Sequence, residues 1–150
     1  MKIKLVKTKD PKKVPKILRK ESKKITEVTP ELLNLIDEMK KIMEKNKGVG
    51  LAAVQVGVPV RLIILKNEGQ DFVFINPEIK SFSRNQVVYS EGCLSFPDVF
   101  EEVKRPEKVK VKAKNLDLQE LEIEASGIMA RAFQHEVDHL NGVVFLDHVK

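Results

Sequence analysis

His135 and His139 stand four residues apart in the stretch QHEVDHLNG (134–142), with Glu136 between them. On a helix, positions i and i+4 share a face, so two imidazoles at this spacing can converge on one metal ion while the glutamate serves as base. The competing reading is two core histidines satisfied by ordinary hydrogen bonds, with Glu136 at the surface. The chain has one other histidine, His148, near the C-terminus, and it reads as an exposed residue. A third metal ligand must then come from another residue type. The single cysteine, Cys93 in EGCLSFP (91–97), is the candidate, since a thiolate binds zinc or ferrous iron well. Taken alone, Cys93 could equally be a small buried hydrophobe, or a nucleophile paired with one of the histidines. Gly92 before it permits unusual backbone angles and Pro97 after it limits regular pairing, which describes an irregular strand end that can aim a side chain.

A third stretch, GVGLAAVQVG (48–57), matches the loose dinucleotide-binding pattern G-x-G-x-x-A, but the context is reversed: a helix precedes it and a strand follows. What remains is a turn whose backbone can approach a ligand closely. An apolar run follows, with one polar side chain, Gln55. An amide among Leu51, Ala52, Ala53, Val54 and Val56 is expected to be partly buried and to need a partner, for which a backbone hydrogen bond suffices.

The elements that must position these residues are readable from periodicity. In TPELLNLIDEMKKIMEKNKG (29–48), Thr29 suits the N-cap, Pro30 the first helical position, and Gly48 the stop. Two strands are expected over 60–66 and 71–77 with a turn at NEGQ (67–70), and further strands over 86–89, 108–113 and 118–124 with a turn at 115–117. In the last two, apolar residues alternate with lysines or glutamates, the mark of a half-buried antiparallel sheet. A second helix opens near Ser126 and closes at Gly142. On its wheel Ile128, Ala132, His135 and His139 share a band beside a core face of Met129, Phe133, Val137 and Leu140. Helix, strands, helix is an α+β order, and 150 residues suit one domain over 1–150.

Composition narrows the class. Hydrophobic content of 42% and charged content of 33% describe a globular chain, and one cysteine excludes an internal disulfide. No apolar run is long enough for a secretory signal or a membrane span, so a cytoplasmic protein is expected. The net charge of +5 is uneven: residues 1–24 carry eleven Lys or Arg against Asp10 and Glu21. Such a basic arm is either a solvated face or a contact for RNA or another polyanion.

The three stretches, in order, resemble the signature motifs of peptide deformylases: GVGLAAVQ for G-x-G-L-A-A-x-Q, EGCLS for E-G-C-L-S, and HEVDH for H-E-x-D-H. The similarity extends to ILRKESKKIT (17–26) and to the piece from Phe74 to Ile79. The resemblance implies a compact fold with antiparallel sheets packed around a central metal-binding helix. It also implies Cys93, His135 and His139 as metal ligands, Glu136 as acid/base, and Gln55 with the Leu94 N–H as oxyanion stabilisers. It further implies removal of the formyl group from N-formylmethionine on nascent peptides, with Fe2+ as the ion and zinc, nickel or cobalt as substitutes. Ile128 and Ala132 would then line an apolar slot for methionine, Val49 and Gly50 a wall and a backbone contact, and Arg131 the rim. Val54 stands where many members have Pro or Thr. The sequence ends at Lys150, short of a C-terminal helix that contributes to ribosome attachment in some members, and the basic arm is a candidate contact for the ribosome surface. A zinc metallopeptidase of the HExxH type and a structural-metal or RNA-binding module are the alternatives.

Overall fold

The computed structural model describes residues 3–149. Helix α1 spans Pro30–Lys45, and the Thr29 hydroxyl accepts from the Leu32 N–H at 3.1 Å, the cap expected from the sequence. The expected stop is corrected. The helix ends three residues before Gly48, where the Asn46 side chain donates to the Ile42 carbonyl at 2.7 Å and Lys47 takes the left-handed turn at φ 54°. Gly48 is needed for another reason: a Cβ there would lie 2.7 Å from Leu94 Cδ1.

Strands β1 (Gly50–Ala52), β2 (Leu62–Asn67), β3 (Gln70–Phe82), β6 (Lys108–Lys114) and β7 (Glu120–Ser126) form an antiparallel sheet in the order β1-β2-β3-β6-β7. The NEGQ turn is a tight hairpin with φ positive at Glu68 and Gly69, which suits the strand twist. Strands β4 (Gln86–Cys93) and β5 (Phe96–Pro106) form a separate two-stranded antiparallel sheet. The expected strand at 86–89 therefore runs on to Cys93, and β5 was not expected at all. It lacks clean alternation, and its partner is the strand that carries the cysteine. A register shift between Gly92 and Cys93, with φ 64° at Asp98, lets the hairpin accommodate Pro97.

Helix α2 (Gly127–Leu140) lies between the two sheets. In β2 the run Leu62-Ile63-Ile64-Leu65 is wholly buried because both faces of the large sheet are covered. Ile63 and Leu65 join Phe133 and Val137 of α2, whereas Leu62 and Ile64 join Ile36, Met39 and Met43 of α1. A third cluster of Leu18, Phe96, Val103, Val144 and Phe145 seals the N-terminal turn and β5 against a 3₁₀ turn at Phe145–His148. This is the α+β arrangement expected, with the histidine helix at its centre.

Asn76 ties the N-terminal segment to the sheet. It sits at φ 51° inside β3, its Oδ1 accepts the Ile25 N–H and its Nδ2 donates to the Ile25 carbonyl, each at 2.8 Å. Asn76→Ala loses two hydrogen bonds and puts a Cβ without local support in the left-handed region, an expected cost of about 2–4 kcal/mol in urea unfolding. Asn76→Gly is expected to cost less. A change below about 0.5 kcal/mol for the alanine would show that the clamp contributes nothing.

Candidate metal centre

The period of α2 puts His135, Glu136 and His139 on the side that faces β1 and the β4–β5 hairpin, and all three are buried. Cys93 ends β4 at the hairpin tip, with Sγ 3.3 Å from His139 Nε2. One ligand atom from each of Cys93, His135 and His139 lies within 4.8 Å of the others, so the three can share one ion. The site opens on a cavity of ≈ 520 Å³, and every candidate catalytic, metal-binding or substrate-binding residue borders it except the fully buried His139.

Glu91 organises the centre. Its carboxylate accepts from Arg105 Nε (2.8 Å) and Nη2 (2.7 Å), from Arg131 Nη1 (3.0 Å), and from His135 Nδ1 (2.7 Å). Burial pushes this carboxyl up, but the hydrogen bonds and charges of Arg105 and His135 outweigh it and hold it well below the usual carboxylate range. A carboxylate at Nδ1 fixes that nitrogen as the proton carrier and leaves Nε2 to turn its lone pair on the site. Arg105 continues the chain: its Nη1 donates to Asp138 Oδ2 at 3.1 Å, which also takes His148 Nε2 at 2.9 Å.

Burial pushes His139 well below its ordinary value, so its ring is neutral, as a ligand must be. Burial also acts against charge on His135, yet the charges of Cys93 and Glu136 hold it well above its ordinary value. Glu136 is pushed up to about 7, chiefly by burial, with Glu91 adding to the rise and His135 opposing it. Its Oε1 and His139 Nδ1 are buried without partners among the described residues, and such atoms rarely stay unmatched. A thiol, two imidazoles and an unmatched carboxylate fit a catalytic ion with an open position.

Gln55 lies on a 3₁₀ turn (Ala53–Val56) that the sequence did not signal. Its Oε1 accepts the Ala52 N–H at 2.9 Å, which is the backbone bond foreseen, and its Nε2 points to Ser95 Oγ at 3.2 Å and Cys93 Sγ at 3.4 Å. Gly50 is required by close approach, since a Cβ would come 2.7 Å from Glu136 Oε2. Arg131 borders the cavity, but its guanidinium is committed: Nη1 also donates to the Val103 carbonyl (3.0 Å) and Nη2 to that of Val87 (2.7 Å). It ties α2 to the hairpin and is less available as a rim contact than its place in the sequence suggests. Ala132 forms buried wall, whereas Val49 and Ile128 are exposed at the mouth, Ile128 by 67%. Sequence reasoning missed the roles of Glu91, Arg105 and Ser95. Glu91 stands two residues before Cys93, and no spacing in the sequence links it to Arg105.

The family model for polypeptide deformylase matches residues 3–150. The chain belongs to the polypeptide deformylase family. The family's reaction is metal-dependent hydrolysis that removes the N-formyl group from nascent peptides. A peptide deformylase of Agrobacterium fabrum is 45% identical over 138 residues, 89% of this chain and 81% of that protein. The chloroplastic peptide deformylase 1B of Solanum lycopersicum is 44% identical over 97% of this chain, which spans about half (52%) of that longer protein. The crystal structure of peptide deformylase from Thermotoga maritima superposes with a TM-score of 0.90 at 38% identity, covering 99% of this chain and 97% of that one. The Met-Ala-Ser-bound structure from Acinetobacter baumannii gives 0.88 at 34%, covering 98% of each.

Glu91→Gln tests the organising carboxylate. Buried Arg105 then keeps only the half-buried Asp138 as a charge partner, an expected loss of about 2–4 kcal/mol, and metal affinity falls about 10–100-fold. The sign follows from the depressed pKa. The stabilisation is complete above the usual carboxylate value of 4.5 and is lost as pH falls through the lower folded value, so wild type and variant converge in strong acid. Unchanged stability and metal affinity at pH 7 would refute this role.

Proposed function

We propose that this chain, as a single catalytic domain, removes the formyl group from N-formylmethionine at the start of newly made proteins, releasing formate, and that Cys93, His135 and His139 hold the ion. The observation that carries the reading is one cavity wall on which these ligands meet Glu136, whose Oε1 is buried and unmatched. A divalent ion held there supplies Lewis-acid polarisation and makes water acidic enough to ionise near neutral pH. Glu136 accepts the water proton at Oε1 and later returns it to the leaving amine nitrogen. Its raised pKa suits both acts, since a base that must also be an acid works best near the working pH. The Gln55 Nε2–H and the Leu94 N–H meet the oxygen on which negative charge grows. Loss of one such donor typically costs about 10²–10³ in rate.

The methionine side chain lies along Ala132 and Ile128, an unbranched thioether on an apolar wall. Val49 and Gly50 form the facing wall. Gly50 belongs to an edge strand paired only with β2, so its other backbone edge is open to an extended peptide. The relative from Acinetobacter baumannii holds Met-Ala-Ser, the product that formyl-Met-Ala-Ser would leave. Fe2+ is the proposed resident ion, with zinc, nickel or cobalt as substitutes, since a thiolate with two imidazoles suits such ions. The place of action is the cytoplasm. No helix among the described residues is long and apolar enough to cross a membrane, and relatives from Solanum lycopersicum and Oryza sativa are named chloroplastic. The exposed Lys12, Lys13 and Lys16 of the basic arm are the proposed contact with ribosomal RNA.

Formate release from formyl-Met-Ala-Ser tests the function, and cleavage of internal peptide bonds without formate would favour a zinc peptidase instead. Glu136→Ala is expected to keep its metal and lose turnover by at least about 10²-fold, and near-normal activity would remove Glu136 as the base. Cys93→Ala is expected to lose metal on dialysis; full occupancy would show that the thiol is not a ligand. The iron-loaded protein is expected to lose activity in air faster than the zinc-loaded one, with Cys93 oxidation followed by mass spectrometry. Equal lifetimes with an intact thiol would count against iron.

A further inference from the structure

The two donors assigned to the oxyanion come from parts of the fold with no covalent reason to keep a fixed separation. Gln55 stands on the 3₁₀ turn after β1, and Leu94 at the tip of the β4–β5 hairpin, in a different sheet. The direct ties between the two segments both leave from one atom, Gln55 Nε2, to Ser95 Oγ at 3.2 Å and to Cys93 Sγ at 3.4 Å. The N-terminal segment supplies two more. The Val6 N–H donates to the Gln55 carbonyl at 2.7 Å, and the Thr8 N–H donates to the Ser95 carbonyl at 3.0 Å.

We propose that the extended segment Val6–Thr8 is a positioning element that sets the separation of the Gln55 and Leu94 donors. The proposal rests on the deformylase reading. Alternate residues of an extended chain are about 6.6–6.8 Å apart and present their amides to the same side, so two N–H groups at i and i+2 act as a stiff spacer between two carbonyls. The spacer is itself anchored. The Val6 side chain packs on the cluster containing Phe96 and Phe145, and Ile3 and Leu5 pack on the cluster of α1. Lys7, between the two donors, makes neither bond and exposes its side chain at the cavity. Without the spacer the hairpin tip and the 3₁₀ turn keep only the contacts of the Gln55 side-chain amide with Ser95 and Cys93, whose distances relax. Donors preset for a transition state tolerate little displacement, and about 1 Å can cost about 10²-fold in rate.

Proline variants of the full-length, metal-loaded protein separate this role from general support of the fold. Val6→Pro and Thr8→Pro each delete one donated N–H, and Lys4→Pro, at an exposed position away from the cavity, stiffens the adjoining stretch while leaving both bonds. The expected result is a fall in kcat of about tenfold or more for the first two, with KM for formyl-Met-Ala-Ser within about twofold, metal content unchanged, and Lys4→Pro near wild type. Should a proline variant not fold, an amide-to-ester replacement at Val6 or Thr8, made by semisynthesis, removes the same donor without added bulk and is expected to lower kcat likewise. Apart from turnover, the Val6 and Thr8 amides are expected to exchange with deuterium far more slowly than that of Lys7. Wild-type kcat without either donor, equal losses in all three proline variants, or fast exchange at Val6 and Thr8 would overturn the proposal. Absence of formate release from the wild type would instead defeat the underlying functional reading.

Discussion

A buried carboxylate is stable only if the charge it keeps is met on every side, and Glu91 is met by two arginines and a histidine drawn from two other elements. Removing a carboxylate and a guanidinium from water costs several kcal/mol each, so the cluster exists only where the geometry is complete. That requirement fixes β4, β5 and α2 against one another: Glu91 comes from the first, Arg105 from the second, and Arg131 and His135 from the third. Arg131 also donates to the carbonyls of Val87 and Val103, so the helix is bonded to both strands of the hairpin. The hairpin tip carries Cys93, and the orientation of the thiol toward His139 is a consequence of the same lock.

Helix α2 accordingly meets different demands on its different sides. Phe133 and Val137 complete the core against the large sheet, with the Phe74 ring tilted against that of Phe133, centroids 4.9 Å apart. His135, Glu136 and His139 face the hairpin and β1, where burial serves the chemistry by keeping one imidazole neutral and lifting the Glu136 carboxyl to about 7. The space that allows this is made by absent atoms. Gly50 leaves room for the Glu136 carboxylate and Gly48 for the Leu94 side chain. A glycine-rich stretch that mimics a nucleotide-binding loop in sequence is, in three dimensions, a clearance around an acid and a leucine.

Much of this was legible in the residues. The i and i+4 histidines with an intervening glutamate specify a shared helical face whatever surrounds them, and the Thr29-Pro30 start of α1 and the NEGQ hairpin are local features set by local sterics. The alternation of lysines and glutamates in β6 and β7 appears as directly paired positions, Lys110 opposite Glu124 and Lys112 opposite Glu122. Less was legible where a residue's task is set by something distant. Arg131 reads from its helical position as a rim residue, but its donors are taken by the hairpin. Strand β5 has little pattern of its own, because most of it is exposed and its register follows β4.

The sequence alone determined the periodic elements, the reactive residue types and the order of three motifs, because each depends on neighbours within a few positions. Which histidine nitrogen faces the ligand site, which carboxylate is held ionised and which is lifted, and where the single thiol points were decided only by tertiary structure. Those properties depend on burial and on partners brought from other elements, and neither desolvation nor a hydrogen bond between Glu91 and Arg105 exists until the hairpin and the helix have closed on each other.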